Sequence, residues 1–262
     1  MDENIRIGAW RSDSVTDLHV MEWEAPVLAR ATRAAESLPG RITAPEDTRR
    51  DWRPEPVTVT LAMVGQSRAD IRQKLRPVLP VLWNAAHLIL SDQPGHHYRG
   101  HTAEVKPIED LDEWMRLRLT FMVNPPCALR VLGASGGWIP DPAIPPAEQI
   151  TELNATANLA LTGAHTLPIG DGPAPYPPEV HMLLIGSWDT LTINGLTIPG
   201  LPMARAVYLD SQAMQVWDKV DGVRTPVPNL TGDYDTIGAD GQLVFGGTNV
   251  NATAHILIIE RS

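Results

Sequence analysis

The sequence predicts a mainly β protein of two domains, a β-rich domain with one helix followed by an antiparallel β-sandwich. Its 262 residues suffice for one large or two ordinary domains. Short segments in which apolar residues recur at strand spacing run along the whole chain. The charge balance changes midway, because residues 1–130 carry 17 basic and 18 acidic side chains and residues 131–262 carry 4 and 13. We therefore expect two units of different character.

The clearest strand of the first domain is predicted at residues 57–64. Apolar side chains alternate there with polar ones, which is the period of an extended strand with one buried face. The apolar residues are Val57, Val59, Leu61 and Met63. Further strands of this domain are predicted at 17–20, 86–90, 98–105 and 114–123.

One helix is predicted, over residues 68–76. Ser67 precedes it and can accept a hydrogen bond from an amide of the first turn, and apolar residues follow at helical spacing. Pro77 and Pro80 lack the amide hydrogen that a continuing helix uses. The segment after residue 76 is therefore predicted to be an irregular turn.

The second domain is predicted to be the sandwich, because many short apolar runs are separated by turn signals. The strongest signal is Asn194-Gly195, which predicts a hairpin between Leu191–Ile193 and Leu196–Ile198. Other strands are predicted at 150–161, 180–185, 204–209, 214–217, 243–245 and 252–259, with Asp221-Gly222, Asp240-Gly241 and Gly246-Gly247 interpreted as turns.

Two segments fit neither domain core. Residues 24–56 are polar and have no core pattern, so they are predicted to form an extended arm. Residues 131–147 are rich in Gly and Pro, which interrupt regular structure, and are predicted to be a linker. The predicted domains are therefore residues 1–130 and residues 148–262.

Composition argues against several classes of protein. A net charge of −10 disfavours binding to nucleic-acid phosphates or to anionic lipid. The single Cys127 excludes an intramolecular disulfide framework and a cysteine-rich zinc site, and fits a reducing cytoplasm. Neither a signal-peptide segment nor an apolar run of roughly 18 residues is present, so no membrane insertion is expected.

Three motifs that resemble reactive or metal sites are interpreted as structural. Gly133–Gly137 matches the nucleophile motif G-x-S-x-G, but prolines follow Ser135 where a helix is required. The histidines His96, His97 and His101 lie close together in the sequence with Asp92 nearby, but His97 and His101 would stand roughly 13 Å apart on a strand, too far to hold one ion, so a solvated loop and strand edge are favoured. Asp233–Gly238 begins like a calcium loop but lacks its closing glutamate.

The order of motifs along the first half resembles the distal tail proteins of long-tailed siphophages, known as the Dit family. The second half looks like their C-terminal galectin-like β-sandwich. Gly246-Gly-Thr-Asn249 departs from the P-G-x-N turn of the family, which leaves the loop of the last hairpin open. The positions that match the family motifs are Pro39, Gly40 and Arg41 before the strand and helix, Asp92 and Tyr98 in the turn that follows residue 88, and Trp114 at the start of the last strand.

The resemblance implies a structural virion protein at the tail tip, made in the host bacterial cytoplasm. It implies a homohexameric ring of N-terminal domains with the galectin-like domains outside. The ring would connect the tail tube protein to the tail-tip hub protein and the receptor-binding components, and DNA would pass through it without specific binding. No enzymatic activity, cofactor, metal ligand or membrane contact is implied.

Two other functions remain open at this stage. A β-sandwich in a chain with eight tryptophans is also compatible with carbohydrate binding, since indole rings stack on sugars. Trp188 and Trp217 are the candidates for that role. A hydrolase that uses Ser135 is the third alternative, and labelling with a serine-reactive phosphonate would reveal it.

Overall fold

The computed structural model describes residues 4–25, 31–33, 50–52, 54–93, 95–124, 127–133, 138–141, 143–169, 178–200, 205–233, 237 and 240–261. The chain divides into two compact units, Met1–Ala128 and Leu129–Ser262. Each unit has a hydrophobic core of its own. The division places Leu129 and Arg130 in the second unit.

The first unit is a mainly antiparallel β structure, and its described residues also form two helices. The elements are β1 Ile5–Ile7, β2 Trp10–Arg11, a 3-10 turn Ser12–Ser14, β3 Leu18–Glu24, β4 Ala31–Arg33, β5 Arg50–Trp52, β6 Glu55–Val64, α1 Arg68–Leu75, α2 Val78–Trp83, β7 His87–Leu90, β8 His96–Asp110 and β9 Trp114–Val123. Strands β3, β6, β9 and β8 pair in that order, and the start of β8 continues to β7, β1 and β2.

The alternating patterns that predicted β6 and β9 correspond to their buried faces. Every second side chain of β9 lies in the first core, together with Val57, Val59, Leu61 and Met63 of β6. The helices α1 and α2 contribute to the same core. The buried residues of β9 are Met115, Leu117, Leu119, Phe121 and Val123.

The predicted helix is confirmed, whereas the irregular turn predicted after it is wrong. Ser67 caps α1, since its hydroxyl accepts a hydrogen bond from the amide of Asp70 at 3.3 Å. A second short helix, α2, follows where the turn was expected. Pro77 precedes α2 and Pro80 lies in its first turn, where amide hydrogens have no partner inside the helix, so neither proline removes a helical hydrogen bond. The described residues of the first unit therefore contain two helices where one was predicted.

Most of the predicted arm, residues 24–56, lies outside the described residues, as do Pro39, Gly40 and Arg41. Its described parts include β4 and β5, which form a separate two-stranded antiparallel sheet. Ala31 pairs with Trp52 in this sheet.

The second unit is an antiparallel β-sandwich. Its strands are β10 Leu129–Val131, β11 Ala157–Leu161, β12 His165–Pro168, β13 Glu179–Ser187, β14 Thr190–Ile193, β15 Leu196–Pro199, β16 Arg205–Asp210, β17 Gln215–Val220, β18 Val223–Pro226, β19 Gln242–Thr248 and β20 Asn251–Arg261. One sheet has the order β18-β17-β16-β13-β20, with β10 and β11 also paired to β20, and the other has the order β12-β19-β14-β15. Side chains from both sheets meet in one core.

The predicted Asn194-Gly195 hairpin is confirmed. Asn194 and Gly195 have φ values of 46° and 90°, and Ile193 pairs with Leu196 across the turn. Positive φ at both central residues is the geometry that matches the twist of the flanking strands.

The turn predicted at Gly246-Gly247 is wrong, because both glycines lie inside β19. Gly247 pairs with Leu191 and has a φ of 138°. A Cβ atom at this position would lie 2.0 Å from the carbonyl oxygen of Thr190, so only glycine fits. The turn itself comes later, at Asn249.

A segment of the second unit packs against the β18-β17-β16-β13-β20 sheet, on the side that faces away from the sandwich core. It comprises residues 138–141 and 143–150, which we call the strap, and it overlaps the predicted linker 131–147. Its 3-10 turn, Pro146–Gln149, lies against β13 and β16. Pro140, Ala147 and Ile150 of the strap are buried.

Candidate assembly surface

The outward face of the first unit's sheet carries the candidate assembly surface. Side chains alternate along a strand, so Trp114 and Arg116 point away from the core that holds Met115 and Leu117. Val64 of β6 pairs directly with Trp114 of β9, which makes the two side chains neighbours on this face. Val64 is 41% exposed.

Arg116 is the central charge of this face. Its guanidinium carbon lies 5.9 Å from the centre of the Trp114 ring, within the range of a cation–π contact. Its Nη2 atom lies 3.9 Å from Glu22 of β3, and its Nη1 atom lies 3.6 Å from Glu109 of β8. The Nε atom of Arg116 is buried and has no hydrogen-bond partner among the described residues. The positive charge of Arg116 is therefore balanced by nearby carboxylates, whereas its Nε donor has no acceptor among the described residues.

The turn between β8 and β9 extends the apolar part of the surface. The amide of Leu111 donates a hydrogen bond to the carbonyl of Trp114 at 2.9 Å, and the Leu111 side chain is 44% exposed. Ile108, also exposed, lies at an irregularity of β8. We call Val64, Leu111, Trp114 and Arg116 the Trp114 patch.

Asp92 and Tyr98, two of the positions on which the sequence resemblance rests, bond to Trp23 and Gln93 and do not join Trp114. Tyr98 donates a hydrogen bond from its hydroxyl to Gln93 Oε1 at 3.0 Å, and burial raises the pKa of Tyr98. Asp92 accepts a hydrogen bond from the indole of Trp23 at 3.2 Å. Tyr98 lies at the opposite end of β8 from the strand end beside Trp114, because Gly100 pairs with Val123 and Asp110 with Met115.

The two tryptophans that a sugar site would use are both buried. Trp188 is 8% exposed and Trp217 is 5% exposed. Their indole N–H groups donate to Pro199 O at 3.3 Å and to Glu148 Oε1 at 3.1 Å. A stacking site needs an exposed ring face beside polar groups, which neither indole offers.

Glu148 of the strap contacts three residues of the sandwich strands β17 and β18. Its carboxylate lies 2.8 Å from Lys219 Nζ and accepts a hydrogen bond from Arg224 as well as from Trp217. Burial alone would raise the pKa of Glu148, but these partners lower it below its usual value. Tyr208 stacks on Trp217 at a ring distance of 5.7 Å and completes the cluster. Sequence reasoning missed Glu148, because its partners lie about 70 residues further along the chain.

Sequence reasoning also missed a buried charge cluster around His181, which it treated as a scattered histidine. His181 lies between Asp210, at 3.4 Å, and Glu179, at 3.7 Å. Glu179 also pairs with Arg261 at 3.1 Å. All four side chains are mostly or fully buried.

The solvated position predicted for His97 is wrong. His97 is buried and its ring stacks on His87 at 5.0 Å, whereas His101 is exposed. The described residues contain no group of three or more His, Cys, Asp or Glu side chains arranged to hold a metal ion. Ser135 lies outside the described residues.

No helix in the described part of the chain is both long and apolar enough to span a bilayer.

Comparison with known proteins gives matches to solved structures only. No family model and no curated protein matches the chain. The SPP1 Dit protein, described as a paradigm of the hub adsorption apparatus in phages that infect Gram-positive bacteria, is similar over 100% of both chains, with a TM-score of 0.63 and 10% identity. A chain of the phage P2 baseplate in its activated conformation with Ca has a TM-score of 0.51 and 8% identity, over 100% of this chain and 99% of that one. The chain thus has the fold of a Dit protein from end to end, as the order of its sequence motifs predicted.

Proposed function

We propose that this chain is a structural protein of a bacteriophage tail, located at the tail tip, where it forms a hexameric ring and catalyses no reaction. The observation that supports this most is the match to SPP1 Dit, since the structural similarity covers 100% of both chains. The second match is to a chain of a phage baseplate.

The proposed ring is built from the first units, with the second units outside. The charge distribution supports this arrangement. Residues 1–130 have a net charge of 17 − 18, or −1, whereas residues 131–262 have a net charge of 4 − 13, or −9. Copies of the first unit can pack round an axis without strong repulsion, while six acidic units are best kept apart at the periphery.

The proposed partners are the tail tube protein on one side and the tail-tip hub and receptor-binding components on the other. The DNA passes through the opening without specific contacts, which fits the acidic net charge of −10. Holding neighbours in place needs interfaces and no reacting group.

Mass photometry and negative-stain imaging of the purified full chain test the ring. We expect a species of six subunits with a central opening. A chain that stays monomeric at tens of micromolar contradicts the proposal.

A serine-reactive fluorophosphonate tests the absence of catalysis, with a Ser135→Ala variant as the matched control. We expect equal background labelling of both chains. Labelling that disappears in Ser135→Ala would instead establish a reactive serine.

A further inference from the structure

We infer that Asn194 is a site of spontaneous deamidation that the folded second unit protects, and that it reacts once the β14–β15 hairpin separates from β19. Asn194 is the only asparagine followed by glycine in the 262 residues. The reactants are its side-chain amide, the backbone nitrogen of Gly195 and water. The inference does not depend on the proposed ring.

Deamidation at an Asn-Gly pair needs no enzyme. The backbone nitrogen of Gly195 attacks Cγ of Asn194, loses its proton and displaces Nδ2 as ammonia, which leaves a five-membered succinimide ring. Water then breaks one of the two carbonyl–nitrogen bonds of the ring and gives aspartate or isoaspartate, so no oxidant or cofactor is consumed. Glycine has no Cβ atom to obstruct this attack.

The turn is also open to the water that the second step needs. Gly195 is exposed. No described atom beyond its two chain neighbours lies within 4 Å of the place where a Cβ atom would stand. Access therefore does not limit the reaction in the folded chain, and protection must come from the conformation of Asn194.

The Asn194 side chain is held on the neighbouring strand. Its Nδ2 donates a hydrogen bond to Gln242 O at 2.9 Å, and its Oδ1 accepts one from Val244 N at 2.7 Å. Attack requires the Cγ atom to lie close to the Gly195 nitrogen with its carbonyl face turned towards it. Two hydrogen bonds of opposite direction fix the plane of the carboxamide, so turning that face towards Gly195 breaks both.

The hairpin itself is held along both edges. On the β19 side, the amide of Asn194 also donates to the carbonyl of Val244 at 2.9 Å. On the other side, Thr197 N donates to Thr231 O at 2.7 Å, and Thr231 N donates to Thr197 O at 3.2 Å. Release of Asn194 therefore requires a local opening in which β14 separates from β19.

Deamidation is expected to prevent the hairpin from closing again. An aspartate places a second oxygen where Nδ2 stood, so an acceptor faces the carbonyl of Gln242 and the hydrogen bond is lost. An isoaspartate adds a methylene group to the main chain inside a two-residue turn, whose length sets the register of β14 and β15. The modification thus makes a transient opening permanent.

The test follows deamidation of the full chain in neutral buffer at body temperature, with and without denaturing urea. Peptide mapping by mass spectrometry measures aspartate and isoaspartate at position 194. Asn158, which is followed by leucine, is the internal reference. We expect at least about tenfold slower reaction at Asn194 in the folded chain than in urea, since two hydrogen bonds must break, and little reaction at Asn158 in either condition.

A matched pair of variants at Val244 tests the hydrogen bonds directly. Val244→Pro removes the amide that donates to Asn194 Oδ1 but keeps the carbonyl that accepts from Asn194 N, whereas Val244→Ala keeps both. Val244 is 45% exposed, so neither change opens the core. Thermal melting checks that both variants fold. We expect about fivefold faster deamidation in Val244→Pro than in Val244→Ala.

If Val244→Pro melts without cooperativity, the wild type is measured in rising urea below its unfolding midpoint, where the rate at Asn194 should increase before the chain unfolds. Three results overturn the inference. The folded wild type reacts as fast as the chain in urea, Asn194 reacts no faster than Asn158 in urea, or the two folded Val244 variants react at equal rates. A rate that stays flat below the unfolding midpoint overturns the local opening in the same way.

Discussion

His181 Nδ1 lies 3.4 Å from Asp210 Oδ1 inside the second unit, and the two residues are direct cross-strand partners on β13 and β16. The other ring nitrogen faces Glu179, two residues earlier on β13, at 3.7 Å. These distances are those of charge contacts, longer than well-formed hydrogen bonds. Burial alone would lower the pKa of His181, but its interactions with the two carboxylates raise it above the ordinary value of 6.5.

This cluster makes stability depend on pH in both directions. Because the pKa of His181 is raised in the folded chain, its contribution is fully present below pH 6.5 and is lost as pH rises through the folded-state value. The pKa of Asp210 is lowered despite its burial, so its contribution is present above pH 3.8 and is lost as pH falls. We expect the melting temperature to decrease on both sides of this window.

Thermal melts of His181→Asn across pH 4 to 9 isolate the histidine. The variant should be less stable near pH 6 and should show a flatter decline than the wild type above pH 6.5. His165→Asn, at an exposed position of β12, should follow the wild-type curve. Parallel curves for His181→Asn and the wild type would show that the cluster does not titrate as described.

Glu148→Gln should loosen the strap. Glutamine keeps an oxygen for the Trp217 indole but removes the charge that pairs with Lys219 and Arg224. Since both cations are partly exposed, we expect a loss of about 1–2 kcal/mol in the free energy of unfolding. Urea titration measures it, and limited proteolysis should cut the strap faster.

Glu152→Gln is the control for Glu148→Gln, because Glu152 is exposed and three residues beyond the strap turn. Its unfolding curve should match the wild type within about 0.5 kcal/mol. Equal losses in the two variants would mean that the contacts of Glu148 with Lys219 and Arg224 contribute nothing specific.

Asn194→Ala should destabilise the sandwich more than an ordinary turn substitution does. The side-chain Nδ2 of Asn194 donates a hydrogen bond to Gln242 O at 2.9 Å, and its Oδ1 accepts one from Val244 N at 2.7 Å. The side chain therefore continues the pairing of β14 with β19. Alanine loses both bonds and tolerates the φ of 46° poorly. We expect a loss of about 2–3 kcal/mol by chemical denaturation.

Asn194→Gly separates the two effects, since glycine accepts the backbone conformation but lacks the amide. It should recover roughly 1 kcal/mol of the loss caused by alanine. A glycine variant as stable as the wild type would show that the side-chain bonds are unimportant.

Gly247→Ala should be strongly destabilising. The added methyl would lie 2.0 Å from the Thr190 carbonyl, a backbone atom that cannot turn away. We expect a loss of about 3 kcal/mol, or an insoluble chain, because strand pairing must shift. Gly163→Ala, where no atom lies within 4 Å of the added methyl, should cost less than about 1 kcal/mol by the same measurement.

Local patterns predicted many of the elements for a clear physical reason. The alternation at 57–64 and 114–123 reflects burial of one strand face, and Asn194-Gly195 has intrinsic backbone preferences that need no distant partner. Local patterns also led to two wrong predictions, an irregular turn at Pro80 and a turn at Gly247. Proline was tolerated because of its place in a first turn, and glycine was required by a close approach from Thr190 on a neighbouring strand.

The candidate surface was only partly predictable. The order of motifs pointed to Trp114, but its neighbour Val64 lies 50 positions earlier in the chain. The carboxylates that flank Arg116, those of Glu22 and Glu109, belong to two other strands. The contacts of Glu148 with Lys219 and Arg224 and of His181 with Asp210 left no signal in the sequence, because these partners are distant in the chain and have no common spacing.

The sequence by itself determined a mainly β chain, an acidic second half, the start of one helix and a tight hairpin. These features depend on composition and on residue preferences that act between near neighbours in the chain. Only the tertiary structure decided which strands became neighbours. That choice brought Glu148 to Lys219, His181 to Asp210 and Val64 to Trp114, because cross-strand contacts depend on register and sheet order, which local preferences do not encode.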